Sequence, residues 1–151
     1  MKSWDKILIA VDKTTTAMHA VKYVGTIIRS LKPPKITLLY VYPEPPPNFY
    51  QAGGLLPDYE NEKRAFAEGI FSESRTVLTE CSIDSENIDT VTRMASGETI
   101  SQTILDIQQE GGYGTVVVGK RGVSRAEEFL FGSISNALVH SSGEFTVWVV
   151  G

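Results

Sequence analysis

Thr115-Val116-Val117-Val118-Gly119-Lys120-Arg121-Gly122, then nine residues from Val123 to Phe131, then Gly132-Ser133-Ile134-Ser135, is the stretch on which the reading of the fold turns. The valine run is short, β-branched and continuously apolar, as a strand buried on both faces of a parallel sheet should be. It ends in two glycines three positions apart. Glycine lets the backbone turn tightly and bring N–H groups up to an anion with no Cβ in the way. Gly132-Ser133 opens the next helical stretch, whose N-terminus presents unpaired N–H groups and a partial positive charge, with the hydroxyls of Ser133 and Ser135 as further donors. Taken singly, these fragments are a βα turn and an ordinary N-cap. At the combined spacing GxxG-x9-GS, two anion-binding elements face one crevice, and a polyphosphate site is the better reading.

Outward from this segment, short apolar runs alternate with stretches of helical period, the pattern of a parallel sheet covered by helices on both faces. Five runs read as strands: Lys6 to Val11, Ile36 to Tyr42, Ile88 to Arg93, Thr115 to Val118 and Phe145 to Val150. Ala17, Val21, Val24, Ile28 and Leu31 give one helical stripe, entered through Thr14-Thr15-Thr16, which can supply an N-cap. Phe66, Ile70, Val77 and Cys81 give a second, Ile100, Ile104 and Ile107 a third, and Ile134, Ala137, Leu138 and Ser141 a fourth. The third is expected to start near Gly97-Glu98 and to end at Gly111-Gly112, which can take the positive φ of a C-cap. Between the second strand and its helix, Pro43 to Asp58 exceeds the usual loop length. Its prolines and glycine pair read as an extended, loose connector in preference to a flap that orders against a ligand.

Composition bounds the function. At 151 residues the chain has the length of one domain able to bury a core without disulfides or a structural metal. A formal charge of -4 supplies no positive field for a nucleic-acid backbone. The first apolar run, Ile7 to Val11, is too short for a signal peptide or a membrane span, so a cytoplasmic address with no membrane partner is expected. Cys81 is the single cysteine, which excludes an internal disulfide, and its place on an apolar stripe reads as a structural thiol.

In an open parallel sheet, ligands bind at the carboxyl ends of the strands. There the glycine pattern resembles the ATP-binding motif of the universal stress proteins, G-2x-G-9x-G-[ST], with every fixed position present. The likeness runs through Lys6 to Asp12, Leu38-Leu39-Tyr40-Val41, the glycine motif and Val147-Trp148-Val149-Val150. It implies that residues 1–151 form one nucleotide-binding domain of α/β class. The implied fold is an open five-stranded parallel sheet of order 3-2-1-4-5 with helices on both faces, adenine nucleotide alpha hydrolase-like. It further implies ATP across the ends of strands one and four, with AMP and ADP left open and Mg2+ accompanying the phosphates. Ala10 and Val11 would line the base pocket, Asp12 would contact the ribose or the adenine edge, and the backbone of Val41 would read adenine. Gly119, Gly122, Gly132, Ser133 and Ser135 would hold phosphate and ribose, with Arg121 and Ile134 beside them. Residues alone leave Asp12 open to a second reading as a cap of the first helix. The resemblance and the apolar terminal strand together imply a homodimer through that strand, since an unpaired apolar edge invites pairing.

Glu127 and Glu128 in the nine-residue spacer read as solvated loop charges rather than metal ligands. A Walker A pattern and a third Rossmann glycine are both missing. His19 and His140 stand apart from any serine and carboxylate at catalytic spacing. The sequence therefore favours an ATP-binding regulatory module, acting on a partner it does not identify. A slow ATPase or phosphotransferase, and a nucleotide-free dimeric scaffold, are the alternatives.

Overall fold

The computed structural model describes residues 3–28, 34–119, 134–141 and 143–151. In chain order the elements are β1 (Ser3–Ala10), α1 (Thr15–Ile28), β2 (Lys35–Pro43), α2 (Leu56–Glu80), a 3-10 turn (Ser85–Asn87), β3 (Ile88–Ala95), α3 (Ile100–Gly111) and β4 (Tyr113–Gly119). Helical residues 134–140, here α4, and β5 (Thr146–Val150) complete them. All pairings are parallel, in the order β3-β2-β1-β4-β5. Each of the five expected strands is present.

The sheet separates two cores, and the period-two geometry of a strand assigns residues to them. Ile7 and Ile9 of β1, with Val11 just beyond its end, meet Val21 and Val24 of α1 and Phe71 and Leu78 of α2 on one face. Leu8 and Ala10 meet Ile104 and Ile107 of α3 and Ile134 and Leu138 of α4 on the other. A strand covered on both sides has no solvent face, which is why β1 reads as an unbroken apolar run.

The helices differ more from expectation. In α1, Ala17, Val21, Val24 and Ile28 are buried as expected, while Leu31 lies outside the described residues. Of the stripe expected in α2, Ile70 is buried, Val77 and Cys81 are half-buried and Phe66 is exposed. The buried stripe is Ala67, Ile70, Phe71, Ser74 and Leu78. A small residue and a polar one disguise it: Ala67 is short, and Ser74 is buried because its hydroxyl donates to the Ile70 carbonyl at 2.8 Å. Phe66 is 45% exposed. Cys81 is the C-cap of α2, half-buried, with Sγ 2.8 Å from where a Cβ on Gly25 would stand, so the thiol packs at the α1–α2 contact.

The 43–58 segment is an ordered knot rather than a loose connector. Phe49 N–H donates to the Pro46 carbonyl (2.9 Å), Ala52 N–H to Asn48 (3.0 Å) and Gly54 N–H to Phe49 (2.9 Å). The Phe49 ring lies 2.6 Å from where a Cβ on Gly54 would be, and meets Tyr59 edge-on with centroids 5.4 Å apart. α2 begins inside this segment, at Leu56, with Pro57 in its first turn, where a missing N–H costs nothing. α3 is capped by Thr99, whose hydroxyl accepts from Gln102 N–H at 3.1 Å. It ends, as expected, on Gly112 at φ 64.

Candidate functional site

The site begins with a mismatch in strand length. β1 stops at Ala10 while β2 continues, paired with β3, as far as Pro43 and Ala95. The last rung between β1 and β2 is Val11 N–H to the Leu39 carbonyl at 2.9 Å. Backbone N–H and C=O groups of alternate residues address the same strand edge, so those of Val41 point where those of Leu39 do. Two residues beyond that last rung, β1 offers Val41 no ladder partner among the described residues. A donor and an acceptor are thus left at the step.

A cavity of about 520 Å³ opens there, within the range of small-molecule sites. On the α3–α4 side its walls are apolar, from Ala10, Leu39, Val41, Ile100, Ile104 and Ile134. On the α2 side they are mixed: Tyr40, Phe66, Glu62 and Lys63, with Val11 and Pro43. Asp12 and Lys13, leaving the end of β1, lie between the two sides.

Asp12 accepts the Thr14 N–H at 2.7 Å and the Thr14 hydroxyl on the same oxygen, Oδ1. Thr14 in turn accepts Ala17 N–H at 3.1 Å, so Thr14 caps α1 and Asp12 braces the cap. The two readings of Asp12 are therefore compatible, because the braced carboxylate also lines the cavity.

Gly119 ends β4 and does not itself wall the cavity. A Cβ there would stand 3.0 Å from Thr16 Oγ1 and from the backbone of Thr16 and Ala17. This glycine has a packing reason the sequence reading missed: it admits the first turn of α1 against the end of β4. Ile134 and Ser135 are buried at the start of the described part of α4, Ile134 on the cavity wall. Arg121, Gly122, Gly132 and Ser133 lie outside the described residues.

Sequence reasoning missed Tyr40, Glu62, Lys63 and Phe66. Tyr40 follows Leu39 in a run that reads as plain core, and the α2 residues become site residues only once that helix is rotated to its true stripe. Burial, then the neighbouring Tyr59, Asp12 and Tyr42, hold the Tyr40 phenol above its ordinary pKa, so it stays a neutral donor. No three His, Cys, Asp or Glu side chains come together as a metal site among the described residues. No helix there is long and apolar enough to cross a membrane.

An open parallel sheet with a ligand-sized cavity at the carboxyl ends of its central strands defines the chain as a doubly wound α/β domain. Within that class it belongs to the universal stress protein family, whose model matches residues 3–151. Universal stress protein UspA from Lactobacillus plantarum superimposes with a TM-score of 0.74 at 19% identity, over 100% of both chains. A universal stress protein solved in complex with cAMP gives 0.67 at 17% identity, covering 97% of this chain and 96% of that one. One from Archaeoglobus fulgidus, in complex with dAMP, gives 0.59 at 14% identity over 100% of both. At these identities the likeness is one of fold. The sequence matches none of the curated proteins.

Proposed function

We propose that the chain is an ATP-binding regulatory module that holds the nucleotide at the carboxyl ends of β1 and β4 without turning it over rapidly. The observation that carries this reading is the convergence, in one cavity of about 520 Å³, of the Val41 backbone edge, the braced Asp12 carboxylate and apolar walls. Adenine needs a donor and an acceptor on one edge and apolar surface on its faces; the ribose needs an acceptor for its hydroxyls. In this reading Ala10, Val11 and Ile134 flank the base and Asp12 meets the ribose. The phosphates run towards Gly119, Arg121, Gly122, Gly132, Ser133 and Ser135, with Mg2+ carried on them. Fold relatives solved with cAMP and with dAMP support an adenine nucleotide. The glycine spacing supports a polyphosphate.

The reading also has the protein acting in the cytoplasm in a stress response, as a homodimer paired through β5, whose outer edge is unpaired among the described strands. Binding is favoured over catalysis because the motif carries a phosphate cradle and no recognisable general base. Calorimetric titration with Mg-ATP and AMP tests it. Wild type binds, and Gly122→Val, which sets a branched side chain where phosphate must approach, abolishes ATP binding. Ser133→Ala costs less, about 1.5 to 3 kcal/mol for one hydrogen bond to a charged group. ATP affinity surviving Gly122→Val would reduce the glycine motif to a turn. Phosphate release at about 1 per second or faster would make the protein an enzyme.

A further inference from the structure

The side chain of Tyr40 leaves β2 on the face opposite Val41 and enters the α2 side of the cavity wall. Its ring is held from two directions, stacked on Tyr42 with centroids 6.1 Å apart and tilted against Phe66 at 5.8 Å. A phenol so fixed is a pre-oriented group, with little rotamer freedom left to lose on binding. Two other phenols use their hydroxyls internally: Tyr59 donates to the Pro43 carbonyl at 2.7 Å, and Tyr113 to Thr37 Oγ1 at 2.9 Å. The Tyr40 hydroxyl has no such bond among the described residues. No side-chain oxygen there is both fully buried and unpaired, so this hydroxyl borders open volume.

Asp12 lines the same cavity as Tyr40, its carboxylate oriented by Thr14. A fixed neutral donor and a fixed anionic acceptor lining one cavity suit a vicinal diol, in which one hydroxyl donates to the carboxylate while its neighbour accepts from the phenol. We infer that Tyr40 is a specificity-determining residue for the sugar, donating to the ribose cis-diol beside Asp12 so that ribonucleotides are held in preference to their deoxy forms. The inference rests on the adenine-nucleotide reading above and deepens it. Val41 and the apolar wall address the base, whereas Tyr40 and Asp12 address the sugar.

The test compares ATP, 2′-deoxy-ATP and 3′-deoxy-ATP, titrated into the full chain and into Tyr40→Phe, which keeps the ring contacts and removes only the hydroxyl. Wild type is expected to prefer ATP over at least one deoxy analogue by roughly tenfold, the scale of a lost hydrogen bond. In Tyr40→Phe that ratio should collapse towards one. Equal affinity of wild type for all three nucleotides overturns the inference while leaving nucleotide binding standing, and so does an undiminished ratio in Tyr40→Phe. Failure of wild type to bind any of the three overturns the adenine-nucleotide reading and this inference with it. The comparison of analogues on wild type keeps the proposal testable whatever the substitution does to folding.

Discussion

Asp12 braces the cap of α1 and faces the cavity through one carboxylate, so its two roles can be separated by choosing what replaces it. Asp12→Asn keeps an oxygen able to accept the Thr14 N–H and loses the charge; Asp12→Ala loses both. We expect Asp12→Ala to lower stability by about 1 to 2 kcal/mol, the range for a lost cap or charged hydrogen bond, and Asp12→Asn to lower it by much less. Both should weaken ATP binding. Urea unfolding beside calorimetry decides: equal stability of the two variants would remove the bracing role. At this scale the sequence was legible where residue type marks a position, as at Asp12, which lies on the cavity wall and braces the cap. It was illegible where chemistry depends on which strand edge or face a residue occupies. Val41 shows this for a backbone and Tyr40 for a side chain, since both sit in a run whose letters say only that it is buried.

Among the elements, the strands declared themselves and α2 did not. A doubly covered strand needs unbroken apolar sequence, whereas a helix stripe can be filled by Ala67 and by a self-satisfied Ser74, which blur the period. The knot before α2 escaped detection for a related reason. Prolines announced an irregular path, but its order comes from one ring, Phe49, packed against Gly54, Tyr50 and Tyr59. Phe49→Ala should cost about 1 to 2 kcal/mol. It should also make residues 44–55 the first site of limited proteolysis, and cleavage there at the wild-type rate would show that the ring is not what orders the knot.

The β2–α2 contact also carries a pH dependence. Burial is the leading cause that raises the pKa of Tyr40, Tyr42 and Tyr59 above the ordinary value of 10.0. Because the folded-state values are the higher ones, the stability these phenols contribute is fully present below pH 10. It is lost as pH rises through the folded values, where the unfolded chain gives up its protons first. Urea midpoints should therefore fall more steeply above pH 10 in wild type than in a Tyr40→Phe, Tyr42→Phe, Tyr59→Phe triple variant. Parallel curves would contradict this.

For the molecule as a whole, topology followed from the alternation of runs and the family likeness, and the sheet has the expected order. Association is a separate matter. β5 lies at the edge of the sheet, with Trp148 turned inwards against Tyr23 at 6.0 Å and Val149 41% exposed. Replacing Trp148 would disturb the core as well as the edge, so Val149→Lys is the cleaner probe. Light scattering at tens of micromolar is expected to give a dimer mass for wild type and a monomer mass for a folded Val149→Lys. A monomeric wild type would rule out the edge pairing.

The step between β1 and β2 has a consequence for how such a domain can diversify. Because two strands of unequal length make the step, the pair of backbone groups at Val41 is set by the chain path and persists when the apolar side chains around it are exchanged for one another. Ile100, Ile104 and Ile134 can then change shape or polarity, at some cost in packing, and reshape the cavity while the step itself survives. The cavity's lining is a coat of side chains over a receptacle that the chain path has already made.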